Sequence, residues 1–552
     1  MSAFVHLELM PLGKVLRVKR GTPLQDVLFT HGVEFPCGGR GRCKGCKIKV
    51  LAGALPITEE DKQKLSGAEL AEGWRLACRA QAESDLKIDL AQWEAAILTD
   101  DSVFAFTPRE GLGIAIDLGT TTIVAQLIDL QTGHVLAVRT ALNAQAKCGA
   151  DIMSRVEAAV AGGGQRTLLN LVRKQIGRLT QELVTTASGA AREVKSVVLV
   201  GNTVMHHLFC GISLEPLSRY PFEPVSPGLQ VFEAAQLGWE LPGNPAVRFL
   251  PCLGSFVGSD ILAGLLATKL HESDEVAVLI DLGTNGEIVV GNRERMLCAS
   301  TAAGPAFEGA RISMGMRAAT GAISEVRARD GQFECHVLGN AAPRGICGSG
   351  LVDAVAVGLE LGRISPMGRL ANGAPLTLKA PVTLNQWDVR ELQLAKGAIA
   401  AGLRILLEQW GVAKDELAQV FLAGAFGNYI NYTSARRIGL LDFPADKVRP
   451  SGNTALLGAK LALFSLPEHD GAYPQTLAKV KHVSLNEDAR FQEIFVEEMV
   501  FPIPVSGRMP LPPGLKSEAR SPKPAMGQPP WGRCFGASVF RCFGASGFGF
   551  RF

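Results

Sequence analysis

The sequence has no uninterrupted apolar run near the ~18 residues that a membrane-spanning helix needs, and its amino terminus lacks the pattern of a secretory signal. No membrane role is expected, and the expected location is the cytoplasm. An excess of either charge is also missing. The 56 basic and 53 acidic residues leave a formal net charge of +3, so nothing in the composition calls for nucleic acid or an anionic surface as partner. The closely spaced cysteines of a small disulfide-stapled domain are absent too, since the 12 cysteines are scattered along 552 residues apart from one tight group. The run Gly162-Gly163-Gly164-Gln165-Arg166-Thr167 lacks the Gly-Lys-Ser/Thr ending of a P-loop and follows a helical pattern, so it reads as a plain loop. What remains is an ordinary globular composition, 47% hydrophobic and 20% charged. The length implies roughly two to four domains.

The one cysteine group sits behind a recognisable lead-in. Phe4 to Leu9 and Val15 to Lys19 alternate apolar and polar residues around Met10-Pro11-Leu12-Gly13, which predicts a hairpin. Thr22 then predicts a helix start, with Pro23 at the first position, Gln25 completing a capping box and Gly32 placed to end it. Next comes Pro36-Cys37-Gly38-Gly39-Arg40-Gly41-Arg42-Cys43-Lys44-Gly45-Cys46, followed about thirty residues on by Cys78. Structural zinc sites usually draw on two paired knuckles, whereas three clustered cysteines plus one distant fit a plant-type 2Fe-2S site. Glycines between the ligands suit a loop that wraps a cluster and turns its amides toward the sulfides. Zinc and buried free thiols are the alternatives at this stage. Arg40, Arg42, Lys44 and Lys47 would give the loop a basic rim, able to steer an acidic redox partner or simply to be solvated.

Further along, Gly113-Ile114-Ala115-Ile116-Asp117-Leu118-Gly119-Thr120-Thr121-Thr122 is echoed by Val278-Leu279-Ile280-Asp281-Leu282-Gly283-Thr284-Asn285-Gly286-Glu287. Each predicts a strand, a tight glycine turn and a returning strand, with a carboxylate at the strand end suited to a hydrated metal ion. The turn amides and hydroxyls suit phosphate. Two copies suggest an internal duplication clamping a nucleotide, although either copy alone reads equally well as an ordinary hairpin. Other small-residue strings punctuate the chain: Gly201-Asn202-Thr203 after a buried strand and Ser255 to Asp260 before a helix. Gly345-Ile346-Cys347-Gly348-Ser349-Gly350 opens another helix, Leu422-Ala423-Gly424-Ala425-Phe426-Gly427 ends a strand, and Gly452-Asn453-Thr454 starts a final helix.

In this order the motifs at Asp117, Asp260, Asp281, Gly345 and Leu422 resemble the phosphate 1, connect 1, phosphate 2, connect 2 and adenosine motifs of the acetate and sugar kinase, Hsp70 and actin (ASKHA) superfamily. Fused to an amino-terminal ferredoxin-like unit, they resemble the reductive activators of corrinoid-dependent methyltransferases. The strings Gly201-Asn202-Thr203, Gly304-Pro305-Ala306-Phe307-Glu308-Gly309 and Gly452-Asn453-Thr454-Ala455-Leu456 share that resemblance. It implies an α+β and α/β multidomain chain in which a β-grasp 2Fe-2S domain precedes a two-lobed actin-like ATPase. Cys37, Cys43, Cys46 and Cys78 would hold the cluster. Gly119, Thr120, Thr121, Gly283 and Thr284 would cradle the phosphates of ATP. Asp117 and Asp281 would organise Mg2+, Gly424 and Gly427 would let the adenosine approach, and Asp260 would orient the attacking water, its plainer role being a helix N-cap.

The implied activity is ATP-dependent return of a partner protein's cob(II)alamin to cob(I)alamin. An upstream low-potential donor would feed the cluster, and a homodimer is one arrangement the resemblance allows. No Asp-x-His-x-x-Gly string is present, so the corrinoid would arrive on a separate protein. Three rivals share parts of the pattern: a ferredoxin-fused small-molecule kinase, an ATP-gated activator of a radical dehydratase, and a non-catalytic electron carrier. The expected organisation is a cluster domain at 1–90, a linker at 91–112, first and second lobes at 113–275 and 276–503, and a low-complexity tail at 504–552. The linker leaves little room for an extra middle domain. The tail repeats Arg-Cys-Phe-Gly-Ala-Ser from 533 and 541, and its Cys534 and Cys542 are not expected to be ligands.

Overall fold

The computed structural model describes residues 3–10, 14–29, 46–89, 106–149, 151–186, 192–283, 285–309, 311–316, 318, 321–340, 342–464 and 472–503. Cys37, Cys43, Thr284, most of the expected linker and the expected tail lie outside the described residues.

Three larger sheets are formed from successive stretches of chain. In the first, Phe4–Met10 pairs antiparallel with Lys14–Lys19 and parallel with Leu86–Asp89, which in turn pairs with Lys47–Ala52. Alternation along the first strand buries Val5, Leu7 and Leu9, which share one core with Leu24 and Leu28 of the helix Leu24–Phe29. This is the β-grasp arrangement. The helix begins later than its capping signal suggests. Thr22 and Pro23 are extended and pair with Ala82 and Gln81, and the Thr22 hydroxyl donates to the Lys19 carbonyl at 2.7 Å. Strand pairing has taken the residues that the local pattern assigns to a helix start.

The second and third sheets repeat one plan. In the second, Leu112–Leu118 lies between its antiparallel hairpin partner Thr122–Asp129 and the parallel strand Val194–Val200. In the third, Ala277–Leu282 lies between the antiparallel Gly286–Gly291 and the parallel Gln419–Ala423. Both central strands are nearly continuous apolar runs, as strands covered on both faces require. The correspondence reaches single atoms. A Cβ on Gly201, after the parallel strand of the second sheet, would lie 2.5 Å from the Leu118 carbonyl, and one on Gly424 would lie 2.7 Å from the Leu282 carbonyl. The duplication expected from the two Asp-Leu-Gly-Thr strings is therefore present in the fold.

The helix Ser259–Thr268 leads from the second sheet to the third, and its close partner is Thr454–Phe464. Backbone approach requires small residues here: a Cβ on Gly458 would stand 2.1 Å from the Ala263 carbonyl. One expectation is revised by this pairing. Thr454–Phe464 is not the final helix, since Ala472–Ala478 and Phe491–Met499 follow it and Val480–His482 joins the edge of the third sheet. It packs back on Leu112–Leu118 and Val194–Val200 of the second sheet. The Ala462 carbonyl accepts from Arg248 at 2.9 Å.

Candidate active site

Cys46 and Cys78 are 1% and 5% exposed and flank a strand pair, with the Ala77 amide donating to the Cys46 carbonyl at 2.9 Å. Both lie at the same end of that strand pair, beside the register Lys47 to Leu76. Burial and the soft sulfur donors of this pair fit a metal cluster held with two further cysteines. Lys47 does not behave as part of a solvated basic rim. Its ammonium pairs with Glu69 at 3.1 Å and lies 4.2 Å from the centre of the Trp74 ring. Lys47 and the Ser66 amide hold the Glu69 carboxyl down to about 2, with the amide the larger cause.

Asp117 and Asp281 occupy matching places, each the penultimate residue of a central strand and each beside the end of a parallel strand. Carboxyl ends of parallel strands are where ligands bind in such sheets. Asp260 joins them from the first turn of the helix Ser259–Thr268. Its N-cap is Gly258, and the Asp260 carboxylate accepts from the Ile261 amide at 2.9 Å, so the plain capping role is excluded. Burial pushes Asp117 up to about 6 and Asp281 up to about 7, with the charge of Asp117 adding to the rise at Asp281. Asp260 is pushed up to about 8 by burial and then by Asp281 and Asp117. All three keep part of their surface open to solvent. None forms an ion pair with a cation among the described residues.

Two neighbours complete the cluster without having been singled out from sequence. Asn453, just before the helix Thr454–Phe464, donates from Nδ2 to Asp117 Oδ2 at 2.9 Å while its Oδ1 accepts from the Leu456 amide at 2.8 Å. Glu287 sits opposite Asp281 in the hairpin and opposite Ser300 on its other side, accepting from the Ser300 hydroxyl at 3.2 Å. Burial and the charges of Asp260 and Asp281 raise its carboxyl well above the ordinary range. A glutamate inside the run Gly286-Glu287-Ile288-Val289-Val290 was the available signal, because a carboxylate in a buried strand needs a reason.

The phosphate-type turns differ in detail. A Cβ on Gly119 would sit 2.6 Å from the Thr122 carbonyl, so the turn itself demands glycine, whereas one on Gly283 would meet only Asn285 O at 3.6 Å. Thr120 is held from Asn202 Nδ2 to its hydroxyl at 2.9 Å, and the Gly119 carbonyl accepts from Asn143 at 3.0 Å. Thr121 accepts at its carbonyl from the Asn143 amide at 2.9 Å. Gly424 has φ of +83° and would place a Cβ 2.4 Å from Asp281 Oδ1. Its glycine is thus required by the protein itself, while a Cβ on the buried Gly427 would meet Leu422 at ordinary contact distances of 3.4 Å and beyond. Among the described residues no three His, Cys, Asp or Glu side chains are grouped to hold a metal ion directly. These hard-oxygen carboxylates therefore suit a cation that keeps its own waters, and the turns at the two strand ends suit the phosphates that such a cation accompanies.

A β-grasp unit with paired buried cysteines, followed by a duplicated fold with carboxylates at matching strand ends, defines a ferredoxin-fused protein of the ASKHA superfamily. Family profiles agree along the chain. Residues 8–83 match the 2Fe-2S iron-sulfur cluster binding domain, 112–273 the RACo middle region, and 275–510 the C-terminal domain of RACo, the ASKHA domain. The corrinoid activation enzyme RamQ of Eubacterium limosum is 35% identical over 424 residues, covering 70% of each chain. The [Co(II) methylated amine-specific corrinoid protein] reductase of Methanosarcina barkeri is 28% identical over 382 residues, covering 63% of this chain and 69% of that protein. A solved reductive activator for corrinoid,iron-sulfur protein superposes with a TM-score of 0.64 at 27% identity, covering 90% of this chain and 98% of that one. The chain belongs to the RACo family of reductive activators. The middle region of that family is the second sheet and its helices, so it is not an additional insertion for which the linker would have to leave room.

Proposed function

We propose that this protein is an ATP-dependent reductive activator that returns the cob(II)alamin of a separate corrinoid protein to cob(I)alamin. The observation that carries the ATP-dependent part is the placing of Asp117 and Asp281 at equivalent strand ends of two duplicated sheets, close enough for the charge of Asp117 to raise the proton affinity of Asp281. Such a pair suits a metal–nucleotide complex held between lobes. Asp117 and Asp281 would organise Mg2+, with Asn453 fixing the Asp117 carboxylate. The turns at Gly119 to Thr121 and at Gly283 and Thr284 would hold phosphates, Gly427 would give the adenosine room, and Asp260 would orient the water.

The electron-transfer part rests on the buried pair Cys46 and Cys78, which with Cys37 and Cys43 would hold the 2Fe-2S cluster. Such a cluster supplies one-electron chemistry when bound. An upstream low-potential donor would reduce it, and reduction of Co(II) by so mild a carrier is uphill, which is the need that ATP hydrolysis would meet. Among the described residues no helix is long and apolar enough to cross a membrane.

The test follows cob(II)alamin absorbance of a purified corrinoid protein mixed with this chain and a reductant, with and without MgATP. Loss of the cob(II)alamin band only when ATP is present supports the reading. Equal rates with and without ATP would overturn it.

A further inference from the structure

Arg155 is fully buried in the helix Ile152–Val160, directly behind the first phosphate-type turn. Its Nε donates to the Gly149 carbonyl at 2.9 Å, and Nη1 to Gln145 Oε1 at 3.3 Å and to the Met205 sulfur at 3.5 Å. Nη2 donates to the Thr120 carbonyl at 2.5 Å. Every partner is neutral. Among the described residues Arg155 forms no ion pair, and the carboxylate whose charge favours its protonated form, Asp151, is the exposed N-cap of its own helix. Burial lowers its proton affinity to about 10, which leaves it charged at neutral pH.

A buried cation without a directly paired, buried counter-charge is costly, and folds rarely keep one unless something else balances it. Its position says what that is. The Thr120 carbonyl that accepts from Arg155 is conjugated through one peptide bond to the Thr121 amide, and the amides of Thr120 and Thr121 donate to no acceptor among the described residues. A cationic donor on a carbonyl polarises the whole peptide and strengthens the N–H on its far side. Asn202 and Asn143 brace the flanking atoms, so the peptide is held in one orientation.

We propose that Arg155 is the positioning cation of the nucleotide site: it fixes and polarises the Thr120–Thr121 peptide as a phosphate donor, and its charge is balanced by nucleotide phosphates in place of a protein carboxylate. This rests on the nucleotide-binding reading above. It makes affinity depend on the number of phosphate charges, through an interaction that burial keeps from being screened.

The experiment measures dissociation constants for the magnesium complexes of ATP and ADP and for AMP, on the full chain carrying its cluster. Arg155→Gln keeps a donor for Thr120 but removes the charge, and Arg155→Lys keeps the charge. The glutamine variant should weaken ATP by roughly tenfold or more, ADP by less and AMP least, and the lysine variant should recover most of the loss. In a separate arm Gln145→Glu leaves Arg155 in place and gives it a carboxylate, which should weaken binding with the same grading. The visible absorbance of the cluster and the thermal midpoint report folding, and the Gln145 arm decides if both Arg155 variants misfold. Unchanged ATP affinity, or equal losses for all three nucleotides, would overturn the inference. A wild type that binds none of the three would overturn the nucleotide reading itself, and is recognised without any variant.

Discussion

Asn453 donates a 2.9 Å hydrogen bond to Asp117 from 336 residues away, tying the start of the helix Thr454–Phe464 to the first of the fold's carboxylates. The same asparagine caps the turn that begins that helix. The helix pairs with the one carrying Asp260, so one side chain reports to both lobes. Asn453→Ala should therefore free the Asp117 carboxylate to rotate and lower ATP-dependent activity by roughly ten- to a hundredfold, in line with the roughly 1.5–3 kcal/mol of a hydrogen bond to a charged group. Asn453→Asp should do worse by adding a like charge. Single-turnover rates for the three proteins check this.

Gly424 allows a second prediction. Its positive φ and the 2.4 Å approach of Asp281 Oδ1 leave no room for a methyl group. Gly424→Ala should displace the Asp281 carboxylate and suppress ATP hydrolysis by roughly a hundredfold, while the visible spectrum of the cluster is unchanged. Phosphate release and absorbance on the same sample measure both.

Cys78 follows a strand of the first sheet, whereas Asp117 and Asp281 lie in the second and third. Cys78→Ser should abolish the red-brown chromophore and the two irons per chain expected of a 2Fe-2S site, yet leave ADP affinity within about twofold of wild type. Recovery of zinc in place of iron from the anaerobically purified wild type would contradict the cluster assignment.

The buried pair His206 and His207 predicts how stability varies with pH. Burial lowers His206 to about 3, helped by the neighbouring His207, and lowers His207 to about 4. Asp117, Asp260 and Asp281 shift the other way, so the pair is best isolated by comparison. Below the ordinary histidine value of 6.5 the unfolded chain takes up protons that the folded one refuses. Stability from the pair is thus present above about pH 6.5 and lost as pH falls toward 4, by about 2 kcal/mol per histidine at pH 5. Thermal midpoints of wild type and His206→Phe between pH 5 and 7 should diverge toward neutral pH, the variant showing the flatter dependence on the acid side.

The parts of this molecule that follow from local pattern were legible before the fold. The cysteine spacing, the two Asp-Leu-Gly-Thr strings and the glycine strings lie within short windows, and their strands form where alternation and apolar runs put them. What escaped was long range. Asn453 looks like any helix cap until its other hand is seen on Asp117. The partner of the Asp260 helix is set by the close approach of Gly458 to Ala263, a contact that no periodicity records. Thr22 carries a sound capping signal that strand pairing with Ala82 overrides. Gly424 reads as space for a ligand, yet the space is taken by Asp281.

Coupling between the nucleotide site and the electron path is tested most directly by Asp281→Ala. Removing a preorganised charged group of this kind should raise the barrier by about 2.7–4 kcal/mol, a loss of rate of roughly a hundredfold or more. The measurement follows cob(II)alamin absorbance of a corrinoid protein with reductant and MgATP, and in parallel the bleaching of the cluster by dithionite. The account predicts that the variant loses ATP-dependent cobalt reduction while its cluster bleaches at the wild-type rate. Cobalt reduction at the wild-type rate, or a parallel decline of both signals as from a weakened fold, would contradict it.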